Sequence, residues 1–199
     1  MTNKYNYVAA EKPSADLSAV EAMVADLEAY IVKEDVYRTI LVDTGAGDRK
    51  LRMSGGDLLA RLHRLRGERD ALTAAEQTRL DAAQAEADKV IYSLKTRFNE
   101  RLSREMKARL DSLAWFLDDW DRDPARGRSD YPFEMRNRQR IEEIIKQLGG
   151  KTPEELTGAL GKVDRRIKQH TQVSEFIWDT PLEKVYPATP YWYLYRRAV

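Results

Sequence analysis

Apolar side chains recur about every 3.6 residues across residues 73–120, a stretch without glycine or proline, so the pattern predicts one long amphipathic helix. Its inward side runs from Leu80, Ala83, Ala87, Ile91 and Leu94 through Phe98, Leu102, Met106 and Leu110 to Leu113, Leu117 and Trp120. Thr73 followed by Glu76 is a capping-box pattern, in which the hydroxyl accepts from an early backbone N–H and the carboxylate reaches back. From Leu94 to Leu110 the repeat advances by fours, which swings the stripe around the helix and favours crossed-helix packing over a coiled coil. Glu100 with Arg104, and Glu105 with Arg109, have the spacing of ion pairs on a solvated helix face.

Shorter patterns flank this helix. Leu17, Val20, Val24, Leu27 and Ile31 recur by threes and fours, predicting a core-facing helix capped by Ser14 or Ser18 and ending near Glu34. Residues 36–43 alternate and are β-branched, 45–48 have turn composition and 50–53 can return, which makes a hairpin with Ile40, Val42, Leu51 and Met53 inward. Ser54 opens a short helix whose apolar side is Leu58, Leu59, Leu62 and Leu65, and Gly67 closes it. Residues 121–130, rich in Asp, Arg, Gly and Pro, read as a linker that reverses the chain. Pro132 then suits the first turn of a helix reaching Leu148, where Gly149 and Gly150 stop it. Thr152 and Glu155 mark the start of a last helix that buries Leu156, Leu160, Val163 and Ile167.

The two ends differ from this body. Residues 1–13 form an arm carrying Tyr5 and Tyr7. Residues 171–199 crowd Phe176, Trp178, Tyr186, Tyr191, Trp192, Tyr193 and Tyr195 among Pro181, Pro187 and Pro190, which excludes a long helix and predicts an extended tail whose rings cover the bundle or meet a partner. The expected fold is mainly α: a single domain over residues 1–199, an elongated helical bundle built on one long helix with a small two-stranded β-hairpin. Elongation follows from length. Some 48 helical residues span about 70 Å, whereas a compact domain of this size is roughly 40 Å across.

Composition adds limits. With 199 residues and 42% hydrophobic side chains the chain can build a core, and 34% charged residues cancel to a net charge of +1, so overall charge selects no partner. The absence of cysteine removes disulfides, thiolate nucleophiles and finger-type zinc sites. No run approaches the roughly 18 apolar residues of a membrane span, and the expected setting is cytoplasmic, without membrane contact.

The run Ile40, Leu41, Val42, Asp43, Thr44, Gly45, Ala46 resembles the active-site loop of retroviral-type aspartic proteases, in which one aspartate from each of two loops shares a proton and activates water. The resemblance implies a catalytic Asp43 within an almost wholly β domain. The chain holds one copy of the run and surrounds it with helical patterns, so a plain hairpin turn is what the residues support. The same glycines lack P-loop spacing. Asp119, Asp121 and Asp123 alternate like the first three calcium ligands, with Asp130 at the twelfth position, but Pro124 stands where that loop turns on glycine, and Arg122, Arg126 and Arg128 supply counter-charge. His63 and His170 have no motif around them, and no serine sits in nucleophile-elbow spacing. No catalytic residue, metal or cofactor is therefore expected.

Two interaction surfaces remain. Leu80 and Ile91, on the part of the long helix that projects beyond a compact body, are candidate partner contacts, with Trp178, Tyr191, Trp192 and Tyr193 of the tail. These point to a non-catalytic interaction or assembly protein that self-associates or binds a protein partner. The alternative is a nucleic-acid-binding accessory protein using Arg97, Arg101 and Arg104 of the long helix together with Arg136, Arg138 and Arg140.

Overall fold

The computed structural model describes residues 12–33, 36–43 and 47–199. Residues 1–11, with Tyr5 and Tyr7 of the predicted arm, Glu34 and Asp35, and Thr44, Gly45 and Ala46 of the protease-like run lie outside the described residues. The protein is mainly α-helical with a small antiparallel hairpin, and it divides into two compact units, Met1–Arg101 and Leu102–Val199.

In the first unit, α1 (Pro13–Ala25) starts on Pro13, whose fixed φ and missing N–H suit the first helical turn. Lys12 occupies the cap position without a side-chain cap, so neither Ser14 nor Ser18 plays the expected role. The predicted single helix is broken at Asp26, after which α2 (Leu27–Val32) continues; the Asp26 carboxylate accepts from the Arg38 guanidinium at 2.9 Å. β1 (Arg38–Asp43) pairs with β2 (Asp48–Met53), Ile40 facing Leu51, and the predicted Ile40, Val42, Leu51 and Met53 are all buried. Two strands are marginal alone. Here β1 lies against α1, and the Tyr30 hydroxyl accepts from Gly55 N–H and donates to the Val36 carbonyl, both at 3.0 Å.

α3 (Gly55–Gly67) begins as its sequence indicates, with the Ser54 hydroxyl accepting from Asp57 N–H at 3.2 Å. Leu58, Leu62 and Leu65 are buried and Leu59 is half-buried. The α3 surface toward α1 carries charge: Arg61 sits between Asp16 and Asp57, and Arg64 between Asp16 and Glu68. A short 3-10 turn, Arg69–Ala71, leads to α4 (Ala74–Ser93), where the full capping box forms. The Thr73 N–H, then its hydroxyl, donate to Glu76 and hold its carboxyl below the usual range.

Leu94 separates α4 from α5 (Lys95–Arg122) by one residue of non-helical backbone. Its N–H still donates to Val90 and its carbonyl still accepts from Phe98, so the hydrogen-bond ladder passes through, and the predicted long helix is present with one interruption. The expected inward stripe is buried at every position from Leu80 to Trp120 except Leu94, which is half-buried. Glu105 and Arg109 depart from the solvated face expected of them. Both are buried, the Arg109 guanidinium donating to Glu105 at 2.7 Å and to Asn137 Oδ1 at 2.7 Å.

In the second unit the predicted linker at 121–130 is replaced by a single-residue break. Asp123 caps α6 (Pro124–Leu148), its carboxylate accepting from Arg126 N–H at 3.1 Å, and Pro124 takes the first helical position, so Pro132 lies inside the helix instead of starting it. Gly149, at φ 57°, closes α6 in the left-handed conformation that glycine adopts without strain. α7 (Glu154–His170) follows with Pro153 at its cap, and Thr152 makes no side-chain cap there. Polar ties join the three helices: Arg109 to Asn137, Arg138 to Asp164 at 2.9 Å, and Arg166 to Asp118 and Asp121, each at 2.7 Å. Beyond α7 the chain does not trail away as an extended tail. β3 (Thr171–Val173) pairs with β4 (Arg196–Ala198), so the aromatic segment leaves and returns to its starting point.

Candidate interaction surface

The aromatic segment closes on α6 through its polar ring atoms. Tyr131 donates to the Tyr193 carbonyl at 2.6 Å, Trp178 Nε1 donates to the Pro132 carbonyl at 2.8 Å, and the Tyr191 hydroxyl donates to Glu143 at 2.5 Å while Lys146 donates to it. Tyr191 and Tyr193 are thus core side chains and not the partner contacts expected of them. Trp178 and Trp192 are half-buried, the latter with the Lys168 ammonium 4.7 Å from its ring centre. Burial raises the pKa of Tyr131 and of Tyr193 above the ordinary phenol value. The folded state therefore keeps protons that the unfolded chain gives up near pH 10, so stability is intact below that pH and declines above it. The slope approaches about 1.4 kcal/mol per pH unit for each of these two phenols. A melting series from pH 8 to pH 11, with tyrosinate absorbance followed in parallel, is expected to show both phenols ionising only as the chain unfolds.

The other expected partner contacts, Leu80 and Ile91, are also buried, because α4 packs its inward stripe against α1 and α2. The basic candidates separate. Arg97, Arg104 and Arg136 are exposed and Arg140 is half-exposed, whereas Arg101 and Arg138 are buried. Burial alone would lower the Arg138 pKa, but the hydrogen bond to Asp164, with Glu142 at 2.9 Å, raises it, and its guanidinium lies 4.8 Å from the Tyr193 ring centre. Arg138 is engaged in holding α6, α7 and the aromatic segment together, so the nucleic-acid surface loses two of its six cations to the interior.

Three of the four carboxylates in the calcium-like pattern face side chains of the chain itself, and Asp123 accepts from the Arg126 backbone N–H. Asp119 pairs with Arg122 at 3.2 Å, Asp130 with Arg126 at 3.4 Å, and Asp121 with Arg166 and with His170 at 3.0 Å. His170 also stacks on Trp120, ring centres 4.8 Å apart. Among the described residues no group of three or more His, Asp or Glu side chains is placed to hold a metal ion. Asp43, the aspartate of the protease-like run, ends a two-stranded hairpin, and the β domain which that chemistry requires is not present among the described residues.

The outer face of α5 within the second unit exposes a large aromatic side chain on a regular helix. Leu113 and Leu117 point inward, and Trp115, two residues from each, is turned about 200° away from both at 100° per residue. Its indole is 71% exposed. Asp111, Ser112, Asp118 and Asp119 occupy the adjacent positions three and four residues away, and Arg104, Lys107 and half-buried Ala108 continue the same face toward the helix start. Several of these charges have partners already: Lys107 with Asp111 at 2.9 Å, Asp118 with Arg166 and Asp119 with Arg122. All are solvent-screened surface pairs that hold little, and so can be exchanged. Trp115 was legible as apolar but not as outward, because it adjoins Phe116 and Leu117 in a run that reads as a continuation of the stripe.

The chain matches no known protein family, no curated protein and no solved structure. Among the described residues no helix is long and apolar enough to cross a membrane. The fold is that of a mainly α-helical protein with a small hairpin.

Proposed function

We propose that the protein is a non-catalytic interaction protein that presents the outer face of α5 to a protein partner. The observation that carries this reading is Trp115, a large side chain held in water by a regular helix whose other face is fully engaged in a core. Tryptophan is enriched among residues that dominate binding energy, since it combines a large apolar area with a single donor and few rotatable bonds. The carboxylates around it favour a partner that offers an apolar recess rimmed by Lys or Arg.

Trp115→Glu separates binding from folding. The side chain is exposed, so the melting temperature is expected to stay within the equivalent of about 0.5 kcal/mol. The apparent size of the protein in a native extract of the cells that make it is expected to fall to that of the free chain. If wild type and Trp115→Glu fractionate identically, the α5 surface is not a binding element.

A further inference from the structure

We infer that the occupant of this α5 face is a second copy of the chain, lying antiparallel; the inference rests on the reading of Trp115 as a contact residue and names its partner. The argument is the order of charge along the face. Its first half carries Arg104 and Lys107, its second half carries Asp118 and Asp119, and Trp115 and Ala108 lie between. A two-fold contact between identical helices is either parallel or antiparallel. The parallel arrangement sets Arg104 against Arg104 and Asp119 against Asp119. The antiparallel arrangement, centred between Asp111 and Ser112, sets Arg104 of each copy beside Asp119 of the other and lays each Trp115 over the small side chain of the opposite Ala108. Asp111 then faces Ser112, whose hydroxyl can donate to it, and keeps its own Lys107 as counter-charge.

Ala108 gives the pairing its shape. Two helices pack at about 8–10 Å, and an indole fits between them where the facing residue is small. The paired segment, residues 104–119, is about 24 Å long, which places the interface at the small end of specific contacts, below about 1,200 Å². The dimer is accordingly weak and concentration-dependent, with a dissociation constant on the order of 10–100 µM. Its charged pairs lie on the rim, so association weakens as salt rises.

Sedimentation velocity on the full chain from about 1 to 500 µM tests the arrangement. Wild type is expected to move from the 23.0 kDa of one chain toward twice that mass. Arg104→Glu and Asp119→Arg are each expected to weaken association about tenfold, because each places like charges together twice across the two-fold axis. The double variant, with the charges exchanged, is expected to return to within about threefold of wild type, a rescue that a merely structural role for either side chain does not produce. Trp115→Ala is expected to remain a monomer throughout. A wild-type chain at 23.0 kDa at every concentration, or a double variant no tighter than the single ones, overturns the antiparallel copy. That failure is distinct from failure of the broader reading, which is decided by whether Trp115→Glu changes the size of the protein in extract.

Discussion

Replacing Asp16 by alanine is expected to lower the unfolding free energy by about 3 kcal/mol. Asp16 sits on α1 with its side chain 2% exposed, and it accepts from two guanidinium groups of α3, Arg61 and, at 2.9 Å, Arg64. Removing one partner of a buried pair costs more than the pair contributes, because the remaining charge stays in an interior that cannot solvate it; the usual range is about 3–5 kcal/mol. The lower end applies here, since Arg61 keeps Asp57 at 2.9 Å and Arg64 keeps Glu68 at 2.6 Å. Asp16→Asn retains a hydrogen-bond acceptor and is expected to lose about half as much. Urea unfolding of the three proteins measures this directly, and a loss below about 1 kcal/mol for Asp16→Ala would show that Asp57 and Glu68 suffice to hold both arginines.

The second large effect concerns the first turn of α6. A Cβ placed on Gly127 falls 2.1 Å from Trp120 Cγ and 2.2 Å from its Cδ1, both atoms of a rigid ring. That ring is buried and has little room to yield. Tyr131 and Phe116 lie against it with centroids 5.5 and 5.4 Å away, and His170 stacks on it. Two terms compete in Gly127→Ala. Alanine gains about 1 kcal/mol in helix propensity, while overpacking against an immovable ring costs about 3 kcal/mol. Overpacking wins by about 2 kcal/mol, a fall of roughly 4–8 °C in melting temperature for a chain of this length, with a change in the near-ultraviolet dichroism of Trp120. A variant that melts at or above wild type would mean that Trp120 has another place to go.

The same glycine shows where sequence reading succeeds and where it stops. Periodicity identified the α4 and α5 stripe, and local chemistry identified the capping box at Thr73, the cap at Ser54 and the stop at Gly149, because each of these is decided within a few residues. Residues 121–130 read as a linker because Asp, Arg, Gly and Pro crowd there, Pro124 and Gly127 among them. In the structure Pro124 and Asp123 supply a proper start, and Gly127 is retained because Trp120 needs its space. Charge was the least legible quantity. Arg101, Glu105, Arg109 and Arg138 have the spacing of surface residues, yet they are buried, and the partners of Arg138 that permit this include Asp164, 26 residues away. Four residues expected at a partner surface, Leu80, Ile91, Tyr191 and Tyr193, are buried in the core instead, while Trp115, set between the inward Leu113 and Leu117, is exposed.

The reading of α5 as a binding element is tested most directly by a photoreactive phenylalanine analogue at position 115, with the same group at Leu41, an exposed residue of the hairpin, as the reference. Irradiation in the cells that make the protein is predicted to give discrete adducts from position 115 and none from position 41. If position 115 gives no adduct, or only the adducts that position 41 gives, the central claim is contradicted.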